Sequence, residues 1–185
     1  MNTASYGKNG QGAQIQYAIV PCRFGLLLAA KTPRGLCCAR LGDDAEELEN
    51  TLRREFSQAE IVRDDDALQN EIAQILQLSD GEISHYNLPL DIAGTDFQWR
   101  VWRELQQIPY GTTTTYGQIA QTLDIPKSVR AVGGACARNG LALVIPCHRV
   151  LSSSQSLTGF RWGTERKAKL LEWEGAVSSQ QSAFS

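Results

Sequence analysis

The chain has no CxxC pair, no Cys/His quartet at zinc-finger spacing and no regular cysteine framework. Its five cysteines are Cys22, Cys37, Cys38, Cys136 and Cys147. An odd count without a framework argues against a disulfide-stapled secreted fold and predicts reduced thiols. The missing ligand spacings leave no basis for a metal site. Apolar runs such as residues 24–30 fall far short of the roughly 20 residues a membrane helix needs. The N-terminus is polar and Gly-rich, without the apolar core of a signal peptide. The expected location is therefore cytoplasmic, nucleoid-associated in a bacterium. There is no internal repeat and no low-complexity linker.

What is present is ordinary for a soluble protein. With 185 residues, 42% hydrophobic and 21% charged, the chain can bury a core without staples, as one large domain or two small ones. The net charge of -2 hides an asymmetry. Residues 95–175 hold ten Lys/Arg against six Asp/Glu, or +4, leaving eight against fourteen, or -6, elsewhere. A basic C-terminal half suits a polyanion on one side only.

Residues 1–14 and 176–185 read as disordered tails. Between them, residues 15–92 read as a small α/β domain, an antiparallel sheet with helices, ahead of a mostly α-helical C-terminal domain. Three short strands are expected over 15–20, 25–30 and 35–41, and helices over 44–56 and 64–78. A further strand is expected over 88–92. No chemistry is evident there, and Cys22, Cys37 and Cys38 read as buried hydrophobes. Residues 93–175 change character. Thr95 with Gln98 and Thr115 with Gln118 form capping boxes. They open one helix with Phe97, Val101, Trp102 and Leu105 inward, and a shorter one from Tyr116. Pro126 starts a third helix that Asn139-Gly140 closes. Two short helices joined by a tight turn have helix-turn-helix proportions.

The third helix is nearly bare: Ala131, Gly133, Gly134, Ala135 and Ala137. Each interior glycine costs roughly 1 kcal/mol against alanine, so something must approach that backbone closely. It is either a neighbouring helix or a nucleic-acid groove. A smooth surface with one long cation, Arg130, suits the minor groove. A polar loop at 152–156 and an aromatic loop at 158–163 follow. A last helix is expected over 165–174, with Lys167 and Lys169 exposed and Leu170, Leu171 and Trp173 packed.

The chemistry concentrates in Ile145-Pro146-Cys147-His148-Arg149-Val150, approached by an apolar stretch, 141–145, read as a strand. A thiol of ordinary pKa needs a base or a positive field to act as a nucleophile. His148 is the obvious base, but neighbours on an extended segment point apart. A bridging water or a sharp turn after Pro146 would resolve this. A carboxylate could orient the imidazole, and spacing leaves both Glu172 and Glu174 open.

The segments IPCHRV, SVRAVGGACARN, TTTYGQIA and LTGFRWGTERKAKLLEWEG stand here in an order that resembles the O6-alkylguanine-DNA alkyltransferases. These are the methylated-DNA–protein-cysteine methyltransferases, and the likeness extends to the C-terminal half of bacterial Ada. The resemblance covers residues 15–175. It implies a ribonuclease H-like N-terminal domain and a winged-helix-like C-terminal one. The implied activity is single-use transfer of an alkyl group from O6 of guanine, and from O4-methylthymine, to Cys147, with no cofactor and no metal. The implied partner is duplex DNA carrying the lesion, bound through the minor groove by a monomer, with no membrane.

By resemblance, His148 deprotonates Cys147 through a water and Glu174 orients the imidazole. Asn139 bridges the recognition helix to the active-site turn. Arg130 replaces the flipped nucleotide, and Tyr116 promotes flipping and donates to the purine. Thr115, Ala131, Gly133, Gly134 and Ala137 line the DNA face. Phe160, Arg161, Val150 and Trp162 form the pocket, with the Arg161 backbone N–H at O6. Trp162 is bulky there, so large adducts are expected to react more slowly than methyl. Ala142 stands where eukaryotic members have proline. Nothing matches the zinc-binding region of Ada. The competing readings are a non-catalytic helix-turn-helix module that binds lesions or regulates, and a cysteine hydrolase.

Overall fold

The computed structural model describes residues 4–157 and 159–176. Three strands, β1 (Gln14–Cys22), β2 (Gly25–Thr32) and β3 (Gly35–Gly42), form an antiparallel meander. A short fourth, β4 (Glu60–Arg63), pairs parallel to β1, giving the order β3-β2-β1-β4. The sheet is therefore mixed rather than purely antiparallel. Residues 60–63 carry one half-buried apolar side chain, Ile61, while Val62 is exposed, too little alternation to announce a strand.

Both faces of the sheet are covered, which explains the near-continuous apolar reading of β2 and β3. Ile15, Tyr17, Leu28, Ala30 and Cys38 pack beneath α1 (Ala45–Glu55) through Leu48 and Leu52. Ala18, Leu27, Ala29, Leu36 and Leu41 face the other way. They share one core with α2 (Gln69–Ser79) and the C-terminal helices, including Trp102, Leu141, Ile145 and Cys147. Truncating a buried leucine such as Leu27 would cost about 2–5 kcal/mol. The segment carrying Cys147 thus lies on the sheet's apolar face.

Several expectations need correction. The helix expected over 64–78 starts only at Gln69, because the Asp64 carboxylate accepts from Ala67 N at 3.0 Å and holds a turn. Residues 88–92 make only an isolated bridge, Leu36 to Leu90. The tail expected over 1–14 is structured from Ser5 onward. Ser5 Oγ donates to the Asp91 carboxylate, the Tyr6 ring packs edge-on against Phe56 at 5.5 Å, and Tyr6 Oη donates to Asp91 O. Residues 1–3 and 177–185 lie outside the described residues.

The C-terminal unit opens with α3 (Asp96–Gln106), followed by β5 (Thr114–Thr115), α4 (Tyr116–Thr122) and α5 (Val129–Ala137). Both capping boxes are formed, each with its Gln side chain returning to the cap backbone. Trp102 Nε1 donates to Ala135 O at 3.0 Å and fixes α5 across α3. Strand β6 (Val150–Leu151) pairs parallel with β5, and α6 (Thr164–Trp173) closes the fold.

Candidate active site

The segment expected as a strand over 141–145 is a turn. Leu141 bridges to Ala39, and Leu143 then adopts a left-handed φ of 69°. The reason is the Asn139 side chain. Its Oδ1 accepts from Leu141 N at 2.8 Å and its Nδ2 donates to Ile145 O at 2.8 Å. Groups that a ladder would use are thereby given to one side chain. A left-handed leucine stores strain, tolerated because its surroundings over-determine it.

Asn139 Nδ2 also donates to Cys147 Sγ, at 3.2 Å. Cys147, His148 and Arg149 form one 3-10 turn after Pro146, closed by Arg149 N donating to Pro146 O at 3.0 Å. In such a turn successive side chains are about 120° apart rather than opposed. The thiol and imidazole are therefore not opposed, as they would be on an extended segment. All three side chains are buried.

Glu174 follows α6 as its C-cap and receives the turn from below. Its Oε1 lies 2.8 Å from His148 Nε2, and Arg149 Nε donates to its Oε2 at 2.9 Å. Gly111 N donates to the same Oε2 at 3.3 Å. Spacing left Glu172 open, but Glu172 is exposed. Burial alone would raise the Glu174 carboxyl. The hydrogen bonds and charges of His148 and Arg149 outweigh it and bring the pKa down to about 2. Glu174 is thus an anion that only accepts, so His148 Nε2 carries the proton and Nδ1 is the free lone pair. His148 Nδ1 is buried with no hydrogen-bond partner among the described residues. Burial lowers the imidazole pKa, with Glu174 acting against it. The neutral base is therefore favoured.

Burial raises the Cys147 thiol, while the Asn139 hydrogen bond and the charge of Lys167 pull it back. Lys167 was expected on the surface, and it is fully buried. Its Nζ donates to Val150 O at 2.6 Å, and desolvation brings its pKa down to about 8. Arg149 and Lys167 are the two site residues that reading the sequence missed. Arg149 carried a signal in its place beside Cys147 and His148. Lys167 carried none, since the polar residues around it mark an exposed face.

The remaining candidates surround this cluster. Tyr116 is half-buried at the start of α4, and burial raises its hydroxyl to about 12. That hydroxyl lies against the backbone of Gly159, where an added Cβ would sit 3.3 Å away. Thr115 caps α4, so its hydroxyl is occupied. Arg130, Ala131, Gly134 and Ala137 form the exposed face of α5, and no described atom approaches the place of a Gly134 Cβ within 4 Å. Gly133 instead faces the Tyr116 ring. Phe160 packs edge-on with Trp162 at 5.2 Å and with His148 at 6.3 Å. Val150 is fully buried. Trp173, expected to be packed, is 43% exposed beneath the Arg23 guanidinium. Thr158 lies outside the described residues. Among the described residues no cluster of His, Cys, Asp or Glu could hold a metal ion, and no helix is long and apolar enough to cross a membrane.

Residues 96–176 match the family model described as 6-O-methylguanine DNA methyltransferase, DNA binding domain. The methylated-DNA–protein-cysteine methyltransferase of Mycolicibacterium paratuberculosis is 38% identical over 160 residues, 86% of this chain and 92% of that protein. The chain belongs to this family. The bifunctional transcriptional activator/DNA repair enzyme Ada of Escherichia coli K12 is 40% identical over 174 residues, 94% of this chain and 49% of Ada. The chain spans about half the length of the Ada proteins it matches. Among solved structures, Mycobacterium tuberculosis OGT in complex with DNA superposes with a TM-score of 0.70 at 32% identity, covering 93% of this chain and 99% of that one. Membership thus rests on most of the chain, not on the segment around Cys147 alone.

Proposed function

We propose that this chain removes alkyl groups from O6 of guanine, and from O4-methylthymine, in duplex DNA by moving them irreversibly to its own Cys147. The observation that carries the reading is one connected cluster: Asn139 on the sulfur, His148 next to it in the same turn, and Glu174 on the far side of the imidazole. Family membership and the M. tuberculosis relative solved in complex with DNA support it.

The steps follow from the chemistry. A methyl on O6 lies inside the base stack, so the nucleotide must rotate out before a thiolate reaches it. The exposed, side-chain-poor face of α5 lies in the minor groove, and Arg130 fills the gap in the stack. Tyr116 favours extrusion and donates to the purine. Phe160, Trp162, Val150 and the Arg161 backbone N–H line the pocket. The Cys147 proton passes through a water to His148 Nδ1, while Glu174 holds the imidazolium. Sulfur attacks the methyl carbon, the C–O6 bond breaks, and its electron pair returns to the purine, which takes up a proton. The thioether has no route back, so each molecule reacts once and needs no cofactor. We further read the N-terminal unit as ribonuclease H-like and the C-terminal unit as winged-helix-like. We expect a cytoplasmic monomer.

The test is intact-mass measurement after incubation with a duplex containing O6-methylguanine. One adduct of about 14 Da per chain, mapped to Cys147 and absent in Cys147→Ser, is the expected result. Binding without an adduct would support a non-catalytic lesion-binding module, and turnover would support a hydrolase. Either sinks the proposal.

A further inference from the structure

Arg161 has two jobs to divide between its main chain and its side chain. The main chain belongs to the loop that carries Phe160 and Trp162. The guanidinium runs towards the N-terminal unit. Its Nη1 donates to the main-chain oxygen of Asn139 at 3.1 Å, and its Nη2 donates to Glu55 Oε2 at 3.2 Å. Glu55 is the last residue of α1. The same carboxylate oxygen accepts from Arg40 Nη2, and Arg40 Nε donates to Cys38 Sγ at 3.1 Å. Arg40 is buried.

Strand β3 grips the same place through its backbone. Ala39 N donates to Gly140 O at 3.0 Å, and Ala142 N donates to Ala39 O at 2.9 Å. The turn at Asn139-Gly140 is thus clamped on its main chain from the N-terminal unit, while the Asn139 side chain holds Cys147 Sγ, Ile145 O and Leu141 N. An Arg–Glu–Arg triad with one buried arm is a weak source of stability, because desolvation offsets most of the attraction. What its geometry does supply is a fixed position for one carbonyl.

We propose that Glu55, acting through Arg161, is a positioning residue for alkyl transfer: it holds the Asn139 carbonyl so that the Asn139 amide stays on the sulfur. The N-terminal unit then contributes to the reactive centre as well as supporting it. The proposal rests on the transfer reading above, and the test separates the two.

Glu55→Gln keeps the shape and removes the charge, Arg161→Met removes both donors, and Arg161→Lys keeps a cation. Two reactions are followed with each variant. One is single-turnover transfer from an O6-methylguanine duplex at saturating DNA. The other is methylation of Cys147 by methyl iodide as a function of pH, which needs no DNA. Glu55→Gln and Arg161→Met should each slow transfer about tenfold, the effect of misplacing roughly one hydrogen bond. DNA affinity should stay within about twofold, and the double variant should be no slower than Arg161→Met, because both break one chain. The pH midpoint of methyl iodide labelling should rise, since the thiol loses a donor to its anion. Arg161→Lys should recover most of the rate.

Unchanged rates, losses that multiply in the double variant, a loss confined to DNA affinity, or an unmoved pH midpoint would each overturn the proposal. A wild type that takes no methyl from DNA would refute the transfer reading, and the methyl iodide arm would still judge the positioning. If Arg161→Met does not fold, Glu55→Gln and Arg161→Lys carry the same test.

Discussion

Cys38 in the N-terminal sheet and Cys147 in the turn after Pro146 have much in common. Each is buried, each sulfur accepts a hydrogen bond from a side-chain N–H, and burial pushes each thiol upward. They differ in what stands next to the sulfur. Around Cys38 the partner is Arg40, itself spent on Glu55, and the rest of the wall is the apolar core beneath α1. Around Cys147 stand an imidazole held by a carboxylate, a buried lysine and, beyond Tyr116, the bare face of α5. A hydrogen bond to sulfur does not make a nucleophile. What sets Cys147 apart is a neighbouring base with a free lone pair.

That contrast is easiest to break at its strongest point. Cys147→Ser should abolish transfer altogether, with no adduct on any other cysteine over the time in which wild type reacts completely. Peptide mapping checks this, and label on Cys38 or Cys136 would show that the contrast is misdrawn. Next comes the base. His148→Gln should slow single-turnover transfer about 10²- to 10⁴-fold, the usual worth of a placed general base. In wild type the rate should hold to a pH below the ordinary histidine value of 6.5, because burial lowers the His148 pKa. Loss of rate starting above pH 6.5 would contradict a neutral, buried base.

How far these features could be read before folding depends on how local their causes are. The meander of β1 to β3 and the capping boxes at Thr95 and Thr115 are local patterns, and they stand where expected within a residue or two. The cysteine, histidine and asparagine of the site were legible from their motif. Glu174 came from the resemblance alone, since spacing leaves Glu172 open and one helical step decides which carboxylate turns inward. The turn at 141–145 reads as a strand because its apolar run gives no sign that Leu141 N and Ile145 O are taken by the Asn139 side chain, which leaves only a short bridge to Ala39 on β3. Lys167 reads as solvated because its burial comes from the acceptor turn packing on α6. Tyr6 and Ser5 read as tail because Asp91 and Phe56, which hold them, are far away in the chain.

The buried charges of the acceptor unit should also be visible in stability. The Glu174 pKa falls from 4.5 to about 2 on folding. A depressed carboxylate stabilises above its unfolded pKa and loses that contribution as pH falls towards its folded one. About 3 kcal/mol should therefore disappear between pH 4.5 and 2, and Glu174→Gln should flatten that part of the profile. The same variant should cost several kcal/mol at neutral pH by leaving Arg149 uncompensated. Lys167 has the opposite window. Its pKa falls from 10.5 to about 8 on folding, so the unfolded chain holds more protons between those values and stability rises with pH there. Denaturant titrations should show about 3 kcal/mol of alkaline gain in wild type relative to Lys167→Met. Equal profiles would place the ammonium in water rather than against Val150.

The smallest effect belongs to the N-terminal unit and tests whether its buried polar groups serve structure alone. Asp91 is buried and accepts from Ser5 N at 2.7 Å, from Ser5 Oγ and from Thr32 Oγ1. These bonds fasten the first residues to the end of β2, away from the acceptor turn. Asp91→Asn keeps the volume but turns one acceptor oxygen into a donor facing hydroxyls. It should cost about 1–2 kcal/mol in urea unfolding and leave the single-turnover transfer rate unchanged. Glu55 lies in the same unit, yet Glu55→Gln is expected to do the reverse, lowering the rate at little cost in stability. If Asp91→Asn slowed transfer as much as Glu55→Gln, any loosening of the N-terminal unit would reach the sulfur. The specific route through Arg161 and Asn139 would then lose its meaning.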